Sequence, residues 1–334
     1  MRATLAGWWA RRFSYGVVAG ASLLGWLWPT AAPAVLGPVL LVGLLGLGLA
    51  HGACDQHVLP AAGLVRQKGR RYLRQFVPGY LGVAALAGLG WWCWPGAAVA
   101  AFFLLTVWHW GSADAPAQPG QRAQWLAHSV LRGALLFAVP AQWWPTKTQQ
   151  SVNGLLQFAG AQPLSASWFG HLAGWLGPAV GLGHLVLWAS YARQGAQPRW
   201  LLDLGEVLLL VGLFSTLPPL LALGTYFVFW HSLQHVLRLN RLFGYAAPTG
   251  RRWASSALGR ELLFFGRQAL PLLLVTLGAL AVVYLLWPAR LAAADAWLGV
   301  AVVAAAVLTL PHALLVSVVL DAANWRTPQP KGLE

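Results

Sequence analysis

Two histidines four residues apart, His231 and His235, stand in "FVFWHSLQHVLRLN" (residues 227–240), a stretch that is otherwise aromatic and aliphatic until Arg238 and Asn240. On a helix that spacing places both imidazoles on one face, with Cβ atoms about 5–6 Å apart, so both can reach one metal ion. A neutral imidazole is also a strong ligand that carries no charge into an apolar setting. Three more histidines join the pair as candidates: His51 in "LGLAHGACDQHVLP", His109 in "VWHWGSAD" and His312 in "LPHALLVSVVLD". Asp55 follows His51 by four residues and Asp114 follows His109 by five. A ligating histidine usually passes its other N–H to a carboxylate or carbonyl, which fixes the tautomer. Asp55 and Asp114 are spaced for that role, or else for helix ends at the headgroups. Nitrogen ligation with no Glu in either motif suits Fe, Cu, Zn or Ni, and weighs against carboxylate-bridged di-iron sites and hard Mg or Ca. Four imidazoles around octahedral Fe(II) leave two open positions for O2 beside a substrate. A tetrahedral four-histidine Zn leaves none.

These residues need elements to hold them, and composition restricts the elements to one kind. Hydrophobic residues make up 58% of the 334 and charged residues only 9%, against about 25% charged in soluble domains. Such a chain cannot cover its surface in water, so an all-α, polytopic membrane bundle is expected. Apolar runs of about 17–25 residues, the length that spans a bilayer, fall near 13–30, 34–53, 75–94, 96–113, 124–143, 168–190, 201–218, 220–237, 264–287 and 296–320. That makes about ten spans. With both termini cytoplasmic, the basic clusters at Arg11–Arg12, Arg66–Arg74, Arg193–Arg199, Arg238–Arg260 and Arg326–Lys331 all fall inside, and only Lys147 and Arg290 fall outside, as the positive-inside rule requires. The net charge of +14 is then a topology signal directed at anionic lipid headgroups, with no nucleic-acid partner implied. Counting about 1.5 Å per residue, His51, His109, His231, His235 and His312 come from four spans but share the cytoplasmic leaflet. Ionisable groups at membrane depth are functional candidates by default, and this convergence favours a metal site over separate structural hydrogen bonds.

One integral membrane domain over 1–334 is expected, with an external loop at 144–167 and a basic cytoplasmic loop at 240–262. Pro218-Pro219 should end one span and begin the next. Arg11-Arg12, an apolar run and "TAAPA" also resemble a signal peptide, but its removal leaves an odd number of spans and spoils the orientation. Cys54 and Cys93 form no CxxC pair, so neither disulfides nor a zinc knuckle are indicated. His57 lies on another face from His51, and His128 begins the fifth span as a secondary or interfacial residue. His171 and His184 read as structural. Trp108, Tyr226 and Trp230 flank the ligand candidates and would wall an apolar cavity.

The four boxes quoted above resemble, in order and over about residues 40–321, the Brp/Blh family of membrane β-carotene 15,15'-dioxygenases. Any one box is weak, whereas four in sequence on a polytopic chain are fairly specific; residues 144–200 match nothing recognised. The resemblance implies an Fe(II) oxidoreductase of a prokaryotic plasma membrane that uses O2 to cleave the central double bond of β-carotene into two retinals. Its ligands would fall on His51, His109, His231 and His235, with Asp55, Asp114, His312, Trp108, Tyr226 and Trp230 as supporting or substrate residues. A retinal-accepting rhodopsin is the implied recipient.

Other functions fit less well. Haem b usually takes axial ligands from different helices, whereas His231 and His235 share a face. Desaturases and hydroxylases carry HxxHH boxes, absent here. A transporter needs a polar path through both leaflets, and the outer half offers almost none beyond His171. A relative that binds carotenoid or retinal without cleaving it would use the same cavity, as would an oxygenase of another lipid.

Overall fold

The computed structural model describes residues 5–66, 69–116, 121–195, 197–245, 254–286 and 294–325. Arg290, Arg326, Lys331 and the centre of the 240–262 loop lie outside them. Among the described residues every regular element is helical: α1 (Leu5–Leu27), α2 (Ala32–Gly43), α3 (Asp55–Ala61), α4 (Arg70–Cys93), α5 (Pro95–Asp114), α6 (Arg122–Trp143), α7 (Pro145–Phe158), α8 (Ala166–Arg193), α9 (Gln197–Thr216), α10 (Pro219–Tyr226), α11 (Leu233–Leu242), α12 (Ala254–Leu286), α13 (Ala294–Val319) and α14 (Ala322–Trp325). A π turn, Leu44–Gly48, and a 3-10 turn, Ala50–Cys54, carry α2 towards α3, and a second π turn, Phe227–Ser232, joins α10 to α11. Each of the ten expected apolar runs maps onto one of these helices or helical runs.

Among the described residues six segments are long and apolar enough to cross a membrane: Ala32–Ala61, Arg70–Cys93, Pro95–Asp114, Ala166–Arg193, Leu258–Gly278 and Val302–Val319. The chain is an all-helical membrane protein. Proline marks several starts, as its fixed φ and missing N–H favour: Pro95, Pro145 and Pro219 each open a helix. The break between α9 and α10 falls at Pro218-Pro219, as expected. The stretch 144–167 contains the amphipathic α7, whose Asn153 accepts from the Leu164 N–H at 2.7 Å and donates back to the Leu164 carbonyl at 3.0 Å.

The chain forms two compact units, one from Met1–Leu86 with Gly212–Ala305 and the other from Ala87–Val211 with Ala306–Glu334. In the first, α1 packs on α10, the Phe227–Ser232 turn, α11 and α12, while α12 also covers the Ala50–Cys54 turn. Buried Leu233 and Leu237 of α11 meet Leu258 and Leu262 of α12, and Asn240 Nδ2 donates to the Glu261 carbonyl at 2.9 Å.

In the second unit α5, α6 and α8 form the frame. Lipid tails are as apolar as the helix surfaces, so close backbone approach through small residues drives packing there. Gly111 and Gly133 show this directly: a Cβ on Gly111 would collide with the Ser129 carbonyl, and one on Gly133 with that of Val107. Gly133→Val should therefore separate α5 from α6. The expected result is loss of the monodisperse peak in size-exclusion chromatography of detergent-solubilised protein; a normal peak would refute this account of the packing.

Candidate metal centre

The first unit gathers three of the expected ligands. Phe227–Ser232 leaves the α-helical hydrogen-bond pattern, and π turns recur at functional sites because they redirect side chains and free carbonyls. Here the Phe229 carbonyl accepts from Ser14 Oγ on α1 at 2.6 Å, and Gln234 Nε2 in turn donates to Ser14 Oγ at 3.0 Å. The distortion is thus held by a neighbouring helix. His231 inside the turn and His235 one turn later are each about 1% exposed. Their rings lie nearly parallel, 9° apart, with centroids separated by 6.2 Å.

His51 approaches the pair from the Ala50–Cys54 turn. Its ring stands edge-on to His231 at 5.9 Å and to His235 at 5.6 Å. His51 Nδ1 lies 2.6 Å from the Gly48 carbonyl. A carbonyl only accepts, so Nδ1 carries the proton and Nε2 keeps the lone pair that a metal requires. Gly48 must be small, since a Cβ there would sit 2.9 Å from the Phe227 ring. Phe227 also meets His51 edge-on at 5.6 Å and stacks on His231 at 5.9 Å. Tyr226 and Trp230 stack at 6.3 Å, and Tyr15 covers Trp230 at 5.3 Å. Three converging imidazoles under aromatic cover form a donor set that suits a transition metal.

Asp55, the expected orienting carboxylate, is buried and accepts from the Tyr80 hydroxyl at 2.8 Å, while His51 Nδ1 uses the main chain. The pairing of Asp55 with Tyr80 ties the end of the Ala32–Ala61 run to α4. Tyr80→Phe removes one hydrogen bond to a buried carboxylate, worth about 1.5–3 kcal/mol. It should lower the thermal unfolding midpoint while leaving bound metal unchanged; metal loss at full stability would return Asp55 to the ligand-orienting role.

The second unit holds His109 and His312 together. Their rings meet edge-on at 5.0 Å, and they are 2% and 3% exposed. His312 therefore ranks with His109 as a donor, higher than the sequence placed it. It follows Pro311 inside α13, where the missing proline N–H leaves one main-chain bond unmade. Trp108 points into a different set of partners: its indole N–H donates to Ser317 Oγ at 3.3 Å, and its ring meets Trp125 at 5.5 Å and Trp325 at 5.7 Å. This cluster holds α5 against α6 and the end of the chain. Asp114 is buried at the end of α5.

The second unit also contains a buried polar network that sequence reasoning did not assemble. Arg132, fully buried, pairs with Asp203, and with Glu206 at 2.8 Å. His128 Nε2 lies 3.3 Å from Asp203, and its Nδ1 lies 2.8 Å from the Tyr191 hydroxyl. Trp188 Nε1 donates to Asp203 Oδ2 at 2.7 Å. The signal was present as Asp203 and Glu206 at an i, i+3 spacing in one span and Arg132 in another. Of the remaining histidines, exposed His171 faces the Ser167 carbonyl at 2.7 Å, buried His184 the Val180 carbonyl at 2.8 Å, and His57 packs on Phe243 at 6.1 Å.

Comparison with known proteins adds an independent line. The family model described as Beta-carotene 15,15'-dioxygenase matches residues 42–320, a range that contains all five candidate histidines. A Halobacterium salinarum protein named Probable beta-carotene 15,15'-dioxygenase Blh is 31% identical over 291 residues, covering 83% of this chain and 82% of that one. A second protein of that organism, Probable beta-carotene 15,15'-dioxygenase Brp, is 30% identical over 118 residues, 34% of this chain and 33% of its own. No solved structure matches the chain.

Proposed function

We propose, for a chain that belongs to the β-carotene 15,15'-dioxygenase family, that it cleaves the central 15,15' double bond of β-carotene with O2 as co-substrate, giving two molecules of all-trans-retinal. The cofactor is Fe(II), held by His51, His109, His231 and His235, with His312 as a further ligand or substrate contact. The residues present fit that ion: the donors are imidazole nitrogens, and His51 is committed to Nε2 by its bond to the Gly48 carbonyl. When bound, iron supplies the Lewis-acid and redox chemistry that lets O2 react with a polyene.

The chain's own part is positioning and exclusion of water. The Gly48 carbonyl holds the His51 ring at a set angle, and Ser14 holds the turn that carries His231. Phe227 and Tyr226 present their rings beside His231, and Trp230 backs Tyr226. β-Carotene has no polar group to grip, so the bond that reacts is selected by shape and depth, through proximity alone. A carotene dissolved in the bilayer enters sideways between helices. The same reading includes ten spans with cytoplasmic termini, a prokaryotic plasma membrane, anionic lipid at the basic loops and a rhodopsin apoprotein as recipient of retinal.

The observation that carries this reading is the convergence of His51 and His231, each on a distorted helical turn, with His235 of α11, inside the family match. The test is expression in cells that accumulate β-carotene, with extracts separated chromatographically. Bleaching with retinal formation is expected; persistent colour with well-expressed, iron-loaded protein would transfer the site to another lipid substrate or to carotenoid binding without cleavage.

A further inference from the structure

A crevice of about 840 Å³ opens within the second unit between α6, α8 and α9. Its volume lies in the ~300–1,000 Å³ range of small-ligand sites. Buried Leu135, Val139, Val180 and Val207 form the floor, while Trp143 and Leu185 at its rim are more than half exposed. None of the histidines proposed as iron ligands lines it. His184 does, at 3% exposure.

The chemistry of the crevice follows from where its donors go. His184 Nδ1 faces the Val180 carbonyl at 2.8 Å, so the proton is on Nδ1 and the ring offers Nε2 as an acceptor. Charging the ring in an apolar crevice would carry a heavy desolvation cost. Gln142 behaves alike: its Nε2 donates to the Ala173 carbonyl, which orients the amide and leaves Oε1 as an acceptor. Each side chain gives an N–H to a carbonyl of α8, while Gln142 keeps a second amide N–H. The crevice thus combines branched and aromatic walls with a buried imidazole acceptor on His184. An acyl chain would fill the space but leave the His184 acceptor without a donor, at a cost when buried. An aldehyde or ketone, itself an acceptor, would do no better.

We infer that this crevice is a binding site for an apolar alcohol, one hydroxyl on an isoprenoid-sized body, whose O–H donates to His184 Nε2. The ligand enters from the bilayer past Trp143 and Leu185, with its chain along Val139 and Val207. Selectivity is for the hydroxyl over an ether or hydrocarbon of the same shape.

The experiment uses full-length protein in lipid nanodiscs with two probes, a diazirine-bearing C20 isoprenoid alcohol and its methyl ether, and maps the covalent adducts by mass spectrometry. The alcohol should label the segments around Trp143 and Leu185 at about one tenth the concentration the ether needs, the difference one neutral hydrogen bond makes. His184→Leu should abolish that difference while thermal midpoint and iron content stay at wild-type values. Equal labelling by both probes in wild-type protein would reduce the crevice to a lipid-chain groove and overturn the inference, as would an alcohol preference that survives in the variant. Should His184→Leu fail to fold, Gly181→Leu serves instead, because it fills crevice-lining space where a Cβ meets nothing within 4 Å. Loss of labelling there supports the site, and undiminished labelling overturns it.

Discussion

His231→Ala and His235→Ala are each expected to lose bound iron and to form no detectable retinal. Both rings are about 1% exposed and lie parallel on one helical face beside His51. Removing a group that merely orients a ligand typically costs 10–100-fold in metal affinity, so removing a ligand should exceed that range. Each substitution also leaves a small cavity, for His231 under Phe227 and Tyr226 and for His235 beside His51, which costs stability whatever the metal does. Iron per folded protein, measured on the monodisperse fraction by mass spectrometry, separates the two effects. His171→Ala is the internal control, since that ring is exposed and faces its own helix; it should retain full iron and activity. Wild-type iron content in either His231 or His235 variant would sink the ligand assignment.

Arg132→Ala is expected to abolish folding, for an unrelated reason. Its guanidinium pairs with Asp203 and Glu206 where all three side chains are nearly inaccessible. Breaking a buried ion pair leaves an uncompensated charge and costs about 3–5 kcal/mol, a large part of the ~5–15 kcal/mol that holds a typical domain together. The replacement of all three, Arg132→Met with Asp203→Leu and Glu206→Leu, removes every charge together and should restore much of the folded yield. Fluorescence-detected size-exclusion of the tagged variants reads both results. A single variant as well folded as wild type would show that the pairing contributes little. A triple variant no better than the single would show that the Trp188 and His128 contacts to Asp203 matter as much as the pairing with Arg132.

The sequence reached the ligand candidates because membrane depth is a one-dimensional property. Counting residues from basic clusters placed His51, His109, His231, His235 and His312 in one leaflet, and the four-residue spacing put His231 and His235 on one face. The structure bears out the shared face within the first unit even though the backbone between the two leaves the α-helical pattern. Asp55 was harder to read: its spacing from His51 suggested an orienting contact, and the structure shows it accepting from Tyr80 on α4, 25 residues away. Trp108 neighbours His109 in sequence, but adjacent helical residues point about 100° apart, and its indole packs on Trp125 and Trp325.

By itself the sequence determined the class of the protein, its apolar helices, and that His231 and His235 share a face. Those properties depend on composition and on the periodicity of each segment alone. Tertiary structure decided the standing of His312 beside His109 and the closure of Arg132 on Asp203 and Glu206. Each of these depends on the rotation and register of one helix against another. Register here is set by contacts that no periodicity records: glycines such as Gly48 and Gly133 that admit a neighbour's ring or backbone, and a serine on α1 that accommodates a carbonyl freed by a π turn.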